Sequence, residues 1–124
     1  MRKALLVVAL GLVMLLTVVS CSGGGSSGSG SGGQTINTNM TEMKYDPSTW
    51  TAKAGQPITV SAKNSGTVVH DWIVKGMEDL TKTEVQPGQT GAKTFTIATA
   101  GTYNVYCSQP GHEAAGMKGT LTVQ

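Results

Sequence analysis

The chain has 124 residues, with nine lysines and arginines against seven acidic residues and a formal net charge of +2 at pH 7. Arg2 and Lys3 lie at the extreme N-terminus, and the other seven basic residues are scattered lysines that balance the acidic ones. With no arginine after position 2 and no cluster of positive charge, the composition argues against a nucleic-acid partner.

The N-terminus has the pattern of a secreted lipoprotein. Two basic residues precede a predominantly apolar stretch from Ala4 to Leu16, as in a secretory signal peptide. The apolar run falls short of the roughly 18 residues that a spanning helix usually needs. It ends at Val18-Val19-Ser20-Cys21, which resembles a bacterial lipobox. We therefore predict a signal peptide over residues 1–20, lipidation of Cys21, and membrane attachment in the cell envelope, on the periplasmic side or at the cell surface.

A linker follows Cys21, since Ser22 to Gly33 contains only glycine and serine. Such a segment behaves as a flexible coil with a span of roughly 20 Å, so residues 21–33 would tether a domain while letting it reorient. The alternative use of Cys21 is a disulfide with Cys107, which is possible in an exported protein. That disulfide would have to join a cysteine at the start of a flexible linker to a cysteine within the domain.

From Gln34 onward the sequence predicts one all-β domain. Short segments rich in Thr, Val and Ile alternate with turn signals such as Pro87-Gly88. This regular spacing indicates a sandwich or barrel, and a domain of this size has one core. We predict a Greek-key β-sandwich of about seven or eight strands, with a short helical turn within Gly76–Thr83. The predicted strands are Thr35–Asn39, Trp50–Ala54, Ile58–Lys63, His70–Val74, Lys93–Ile97, Tyr103–Cys107 and Thr120–Val123.

Alternation along the strands assigns side chains to faces, because residues two apart share a face. Val105 and Cys107 should point inward, and Tyr106 outward. His70 should point to the core side, with Trp72 packed beneath it.

The strongest functional signal is the segment from Cys107 to Met117. His112 lies five residues after Cys107 and five before Met117, and His70 is the only other histidine in the chain. The pair Pro110-Gly111 favours a turn that would fold His112 back towards Cys107. A thiolate, two imidazoles and a thioether form the donor set of a blue-copper site. Each residue alone would more often be core packing, but together they predict a copper site.

The segment from Gly101-Thr-Tyr-Asn-Val-Tyr-Cys107-Ser108 to Met117-Lys-Gly-Thr-Leu-Thr-Val123 resembles the cupredoxins, the small blue-copper proteins. It shares its lead-in and His-x4-Met spacing with plastocyanins and its Cys-x-x-Pro-Gly-His spacing with azurins. Auracyanins combine both spacings and are the closest match. They too are lipid-anchored through a Gly/Ser-rich linker. The resemblance is strongest over residues 101–124 and extends from about residue 34.

The resemblance implies a cupredoxin domain over residues 34–124 that holds one type 1 copper ion through His70, Cys107, His112 and Met117. It implies a monomer that shuttles single electrons between redox partner proteins, which the sequence does not identify. The electron would leave through His112, which an apolar ring should surround at the surface. Tyr106 is an alternative route. The expected ring members are Pro110, Ala114, Ala115 and Met43.

One position departs from the family pattern. The residue after the first histidine is usually Asn, but here it is Asp71, which should face Ser108. An ionised carboxylate accepts hydrogen bonds but cannot donate them, so Ser108 would supply the proton. A negative charge there should lower the reduction potential, as groups around metal ligands commonly do. The segment between the two halves of the site is also shorter than expected of auracyanins. The resemblance therefore does not imply that this protein has the same redox partners as auracyanins.

Enzymatic copper chemistry is not expected, because it needs an open coordination position or a second metal and both histidines are already assigned. Two other classes remain open. One is an envelope copper carrier or chaperone. The other is a metal-free β-sandwich lipoprotein with a structural or adhesive role.

Overall fold

The computed structural model describes residues 32–124. The predicted signal peptide, the predicted lipidation site Cys21 and nearly all of the linker lie outside these residues. The described elements, in chain order, are β1 Gln34–Thr41, β2 Lys44–Asp46, β3 Thr49–Ala52, β4 Pro57–Asn64, β5 His70–Val74, α1 Glu78–Thr81, β6 Thr83–Val85, β7 Thr90–Thr96, β8 Gly101–Tyr106 and β9 Lys118–Val123. Within this part of the chain, no helix has the length and apolar character needed to cross a membrane.

The strands form two sheets, in the orders β2-β1-β4-β7 and β3-β9-β8-β5-β6. The pairs β1–β4 and β3–β9 are parallel, whereas the other pairings are antiparallel. The prediction of an all-β Greek-key sandwich is confirmed. The predicted helical turn is also present, as the single turn of α1.

The space between the sheets is filled by the alternating inward side chains. In β4, Ile58, Val60 and Ala62 are fully buried and the residues between them are more exposed. Trp72 lies at the centre of the core, with its ring centroid 5.5 Å from that of Trp50. Strand β5 is buried at all five positions, so it is held on both faces. This rigid strand begins at His70.

Two strands were missed by the sequence prediction, β2 and β6. Each has three residues, too few for alternation to identify. They form because each pairs antiparallel with a longer neighbour, β2 with β1 and β6 with β5. The β5–β6 pairing places Val85 opposite His70, so a strand that the sequence did not reveal supports a candidate ligand.

The two ends of the sandwich have different roles. Strand β1 begins at Gln34, whose side chain exchanges two hydrogen bonds with the backbone of Lys53 at 2.6 and 3.1 Å. Its other end lies beside the end of parallel β4, where the N–H of Ser65 donates to Met40 O at 2.9 Å. The loop that continues from Ser65 leads directly to His70. The start of the domain and the candidate site are therefore at opposite ends of β1, an eight-residue strand about 25 Å long.

Candidate metal centre

His70 is positioned by the loop before it as well as by β5. Asn64 organises that loop, because its amide donates to Val68 O at 2.8 Å and to Val85 O at 2.9 Å, and its oxygen accepts from Gly66 N–H at 2.9 Å. His70 itself is 0% exposed. Sequence reasoning missed Asn64, whose contacts cross between elements.

Cys107 follows the last residue of β8 and is 1% exposed. Its N–H donates to Met117 O at 3.2 Å. Its sulfur accepts a hydrogen bond from Asp71 N–H at 3.4 Å. Cys107 is therefore tied to the end of the ligand loop through its backbone and to β5 through its sulfur. The thiol points inward as predicted.

The loop from Cys107 to Met117 turns at two glycines, one of which belongs to the predicted turn at Pro110-Gly111. Gly111 and Gly116 have φ angles of +81° and +109°, a region that L side chains rarely adopt. His112 N–H donates to Gln109 O at 3.0 Å, and Met117 N–H returns to His112 O at 2.9 Å. The loop thus brings His112 back over Cys107.

The three strong donors converge. His112 Nδ1 lies 3.2 Å from His70 Nδ1 and 3.4 Å from Cys107 Sγ. One ligand atom from each of these residues lies within 4.8 Å of the other two. Two imidazole nitrogens and one sulfur therefore point towards a common, buried position, although His70 comes from a distant part of the sequence.

Met117 is fully buried, and the backbone bonds at its N–H and C=O place it between His112 and Cys107. Met117 is thus close in the fold to both of these predicted ligands. The role of Met117 as a ligand stays a prediction.

Burial controls the protonation of the donors. It is the main reason that the pKa of His70 is lowered, with the neighbouring His112 as a second cause. Burial also raises the pKa of the Cys107 thiol to about 11. The imidazole of His70 is thus neutral and able to bind a metal, whereas Cys107 must lose its proton to become a thiolate ligand. The donor chemistry fits copper, since a soft thiolate with two imidazoles suits both of its oxidation states.

Asp71 meets Ser108 as predicted. Its carboxyl group is 0% exposed and accepts hydrogen bonds from Ser108 N–H and Ser108 Oγ, both at 2.6 Å. The amide of Gln109 adds a third at 3.3 Å, which the sequence did not suggest. Asp71 therefore fastens β5 to the two residues that follow Cys107.

Three of the four residues predicted to surround His112 are exposed. His112 is 9% exposed, and Pro110, Ala114 and Ala115 are exposed beside it in the chain, whereas Met43 is half-buried. Tyr106 is half-buried and its hydroxyl lies 3.2 Å from Glu78 Oε1.

Known proteins match this chain over most of its length. Residues 8–123 match the family of cupredoxin-like domains. Auracyanin-A of Chloroflexus aurantiacus is 32% identical over 96% of both chains. A copper-resistant cuproprotein, CopI of Rubrivivax gelatinosus, is 26% identical over 73% of this chain and 67% of its own.

The solved structure of auracyanin A, described as a "blue" copper protein from Chloroflexus aurantiacus, superposes with a TM-score of 0.67 at 29% identity. It covers 75% of this chain and 100% of its own. The agreement therefore extends from sequence to backbone. The chain belongs to the family of cupredoxin-like domains, and its cofactor is a type 1 copper ion.

Proposed function

We propose that this protein is a membrane-anchored blue-copper protein that shuttles single electrons between redox partners in the cell envelope. The observation that carries the proposal is the convergence of His70, Cys107 and His112 within 4.8 Å at one end of a β-sandwich. The similarity to auracyanin-A, over 96% of both chains, supports it.

The chain's contribution to electron transfer is to hold its ligands still. His70 begins a strand that is buried at every position, and Cys107 directly follows the last residue of β8. The bonds from Asp71 to Ser108 lock these two strands together beside the site. Copper would supply the one-electron couple, and His70, Cys107 and His112 would hold it as strong ligands with Met117 as a weak one. A site that rearranges little between oxidation states transfers electrons readily.

His112 is the proposed exit for the electron, because it is the ligand nearest to the surface on this loop. A partner would dock over the exposed Pro110, Ala114 and Ala115. Small contacts of this kind suit transient redox encounters.

The anchor is part of the proposal. Lipidation of Cys21 and the linker that follows would attach the domain through Gln34. Because Gln34 lies at the end opposite to the copper site, the anchored domain would leave the site free to meet partners. We propose a monomer without enzymatic activity, since the chain has only two histidines and both belong to the one site.

The visible spectrum with Cu(II) tests the function. The full chain, purified in mild detergent, should develop an intense thiolate-to-copper charge-transfer band with one equivalent of Cu(II). Cys107→Ser should abolish the band. If the wild type shows no such band, the blue-copper assignment is wrong, and a failure to bind copper would favour a structural lipoprotein.

A copper carrier in the envelope is the second candidate, and the similarity to a copper-resistant cuproprotein favours it. A carrier must release its metal. Rapid loss of copper to a competing chelator would support the carrier. Retention of copper together with reversible one-electron reduction would support electron transfer, which the full burial of Cys107 and His70 favours.

A further inference from the structure

Asp71 places a carboxyl group wholly inside the protein, next to a copper ligand. Its oxygens accept hydrogen bonds from the N–H and hydroxyl of Ser108 and from the amide of Gln109. These three bonds satisfy most of the hydrogen-bonding capacity of the carboxylate but leave its negative charge without compensation. Burial of a charge is unfavourable unless an opposite charge lies nearby.

Lys82 provides the opposite charge. Its Nζ lies 3.9 Å from Asp71 Oδ2, and within residues 32–124 it is the only lysine or arginine that forms an ion pair with Asp71. The same Nζ lies 3.2 Å from Glu84 Oε2. The pKa of Lys82 is raised, mainly by its hydrogen bond with Glu84 and further by the charges of Glu84 and Asp71. Lys82 therefore remains cationic and links an exposed acid to a buried one.

The backbone on both sides of Lys82 is fixed. Its N–H donates to Glu78 O at 3.0 Å and so closes α1. Thr81 is buried and its hydroxyl accepts from Val74 N–H at 2.9 Å. Glu84 lies opposite Asp71 in the β5–β6 pairing. The position of Lys82 beside Asp71 thus follows from α1 and β6, whereas the sequence showed it only as one of seven scattered lysines.

We infer that Lys82 is a positioning residue of the metal site that acts through Asp71. Its charge stabilises the buried carboxyl group in its place against Ser108, next to Cys107. It also offsets the negative field of Asp71 at the metal, and this electrochemical part rests on the proposed function. Because a nearby positive charge favours the reduced ion, loss of Lys82 should lower the reduction potential.

The first test uses the metal-free full chain in detergent and a double-mutant cycle. Lys82→Met should raise the unfolding equilibrium constant about five-fold when Asp71 is present, near the upper end for a partly exposed ion pair. In the Asp71→Asn background the same change should have an effect of less than about two-fold. Lys82→Arg, which keeps the charge, should retain most of the stability.

Lys93→Met is the matched control, since Lys93 Nζ donates to Asp79 O at 3.2 Å and forms no ion pair with Asp71 in the described part of the chain. Its effect should be equal in the two backgrounds. If Lys82→Met were equally destabilising in the wild-type and Asp71→Asn backgrounds, Lys82 and Asp71 would not be coupled. The inference would then be overturned.

The second test is a redox titration of the copper-loaded chain. Lys82→Met should shift the midpoint to a lower potential, Asp71→Asn to a higher one, and Lys82→Arg should leave it near the wild-type value. A rise in Lys82→Met would contradict the charge offset. If no variant forms the copper site, the proposed function fails, whereas the metal-free cycle still decides whether Lys82 and Asp71 are coupled.

Discussion

Gly66 shows how tightly the surroundings of His70 are packed. A Cβ built on Gly66 would lie 2.8 Å from Glu42 Oε1, 3.0 Å from His70 Nε2 and 3.2 Å from Asn64 Oδ1. Three polar atoms therefore enclose a position that admits only hydrogen. None of the three moves freely, because His70 and Asn64 are fully buried and Glu42 is bonded to Thr67.

Replacing Gly66 by Ala should therefore displace the imidazole of His70. We expect a loss of about 1–3 kcal/mol in unfolding free energy, as for other overpacked sites, together with a weaker or shifted charge-transfer band. Chemical denaturation and the visible spectrum measure the two effects. Gly33→Ala is the matched control, since nothing lies within 4 Å of its Cβ position. Unchanged stability and spectrum in Gly66→Ala would show that this packing does not hold His70.

The candidate ligands could be predicted from the sequence because they lie close together in the chain or are the only residues of their type. Cys107, His112 and Met117 lie in one short loop with its own turn residues, and His70 was the only histidine left to complete the set. The contact between Asp71 and Ser108 followed from family resemblance. Lys82 could not be predicted, because its contact with Asp71 depends on where α1 ends and where β6 pairs, and β6 itself was missed.

At the scale of elements, the loop between β4 and β5 is held by a carboxylate from the β1–β2 turn. Glu42 accepts hydrogen bonds from both the N–H and the hydroxyl of Thr67. These bonds are the main reason that the pKa of Glu42 is lowered from 4.5 to about 2. The loop that they fix leads to His70.

This lowered pKa predicts a pH dependence of stability. A carboxylate whose pKa falls on folding contributes stability that is complete above about pH 4.5 and is lost as the pH falls towards about 2. In the metal-free protein, Glu42→Gln should therefore make the acid-induced loss of unfolding free energy shallower over this range. Thr67→Val, which removes the hydroxyl but keeps the N–H, should have a smaller effect. Identical acid profiles for wild type and Glu42→Gln would contradict this role.

The ligand loop is the element that a partner would touch. Ala115 is exposed three residues after His112, and its N–H donates to Gly111 O at 3.0 Å, which closes the turn. A charged side chain at position 115 changes the surface of the loop without changing the predicted copper ligands. We expect Ala115→Glu to slow reduction by the partner several-fold and to leave the copper spectrum intact.

Stopped-flow reduction by a physiological partner, once one is identified, measures this effect. Ala92→Glu is the control, because Ala92 is exposed on β7, in the sheet that does not contain β5 or β8. Equal rates for the wild type and Ala115→Glu would argue against an exit at His112.

At the scale of the whole molecule, we predict separate roles for the two cysteines. Cys107 is buried and unpaired in the described part of the chain, at the end of the domain that lies away from Gln34. Cys21 belongs to the predicted lipobox, beyond a linker that joins the domain at Gln34. A disulfide between them would occupy the thiol that the copper site needs, so the two interpretations predict different outcomes.

Single substitutions of the two cysteines should therefore have opposite effects. Cys21→Ser should release the protein from the membrane fraction and leave the charge-transfer band unchanged. Cys107→Ser should abolish the band and leave the protein in the membrane fraction. Both variants are expressed in the exporting cell. Immunoblots of the membrane and soluble fractions measure membrane attachment, and the visible spectrum measures the charge-transfer band. If the native chain instead showed a disulfide between these residues, the thiolate ligand would be lost, and both the anchor and the copper site would have to be reassigned.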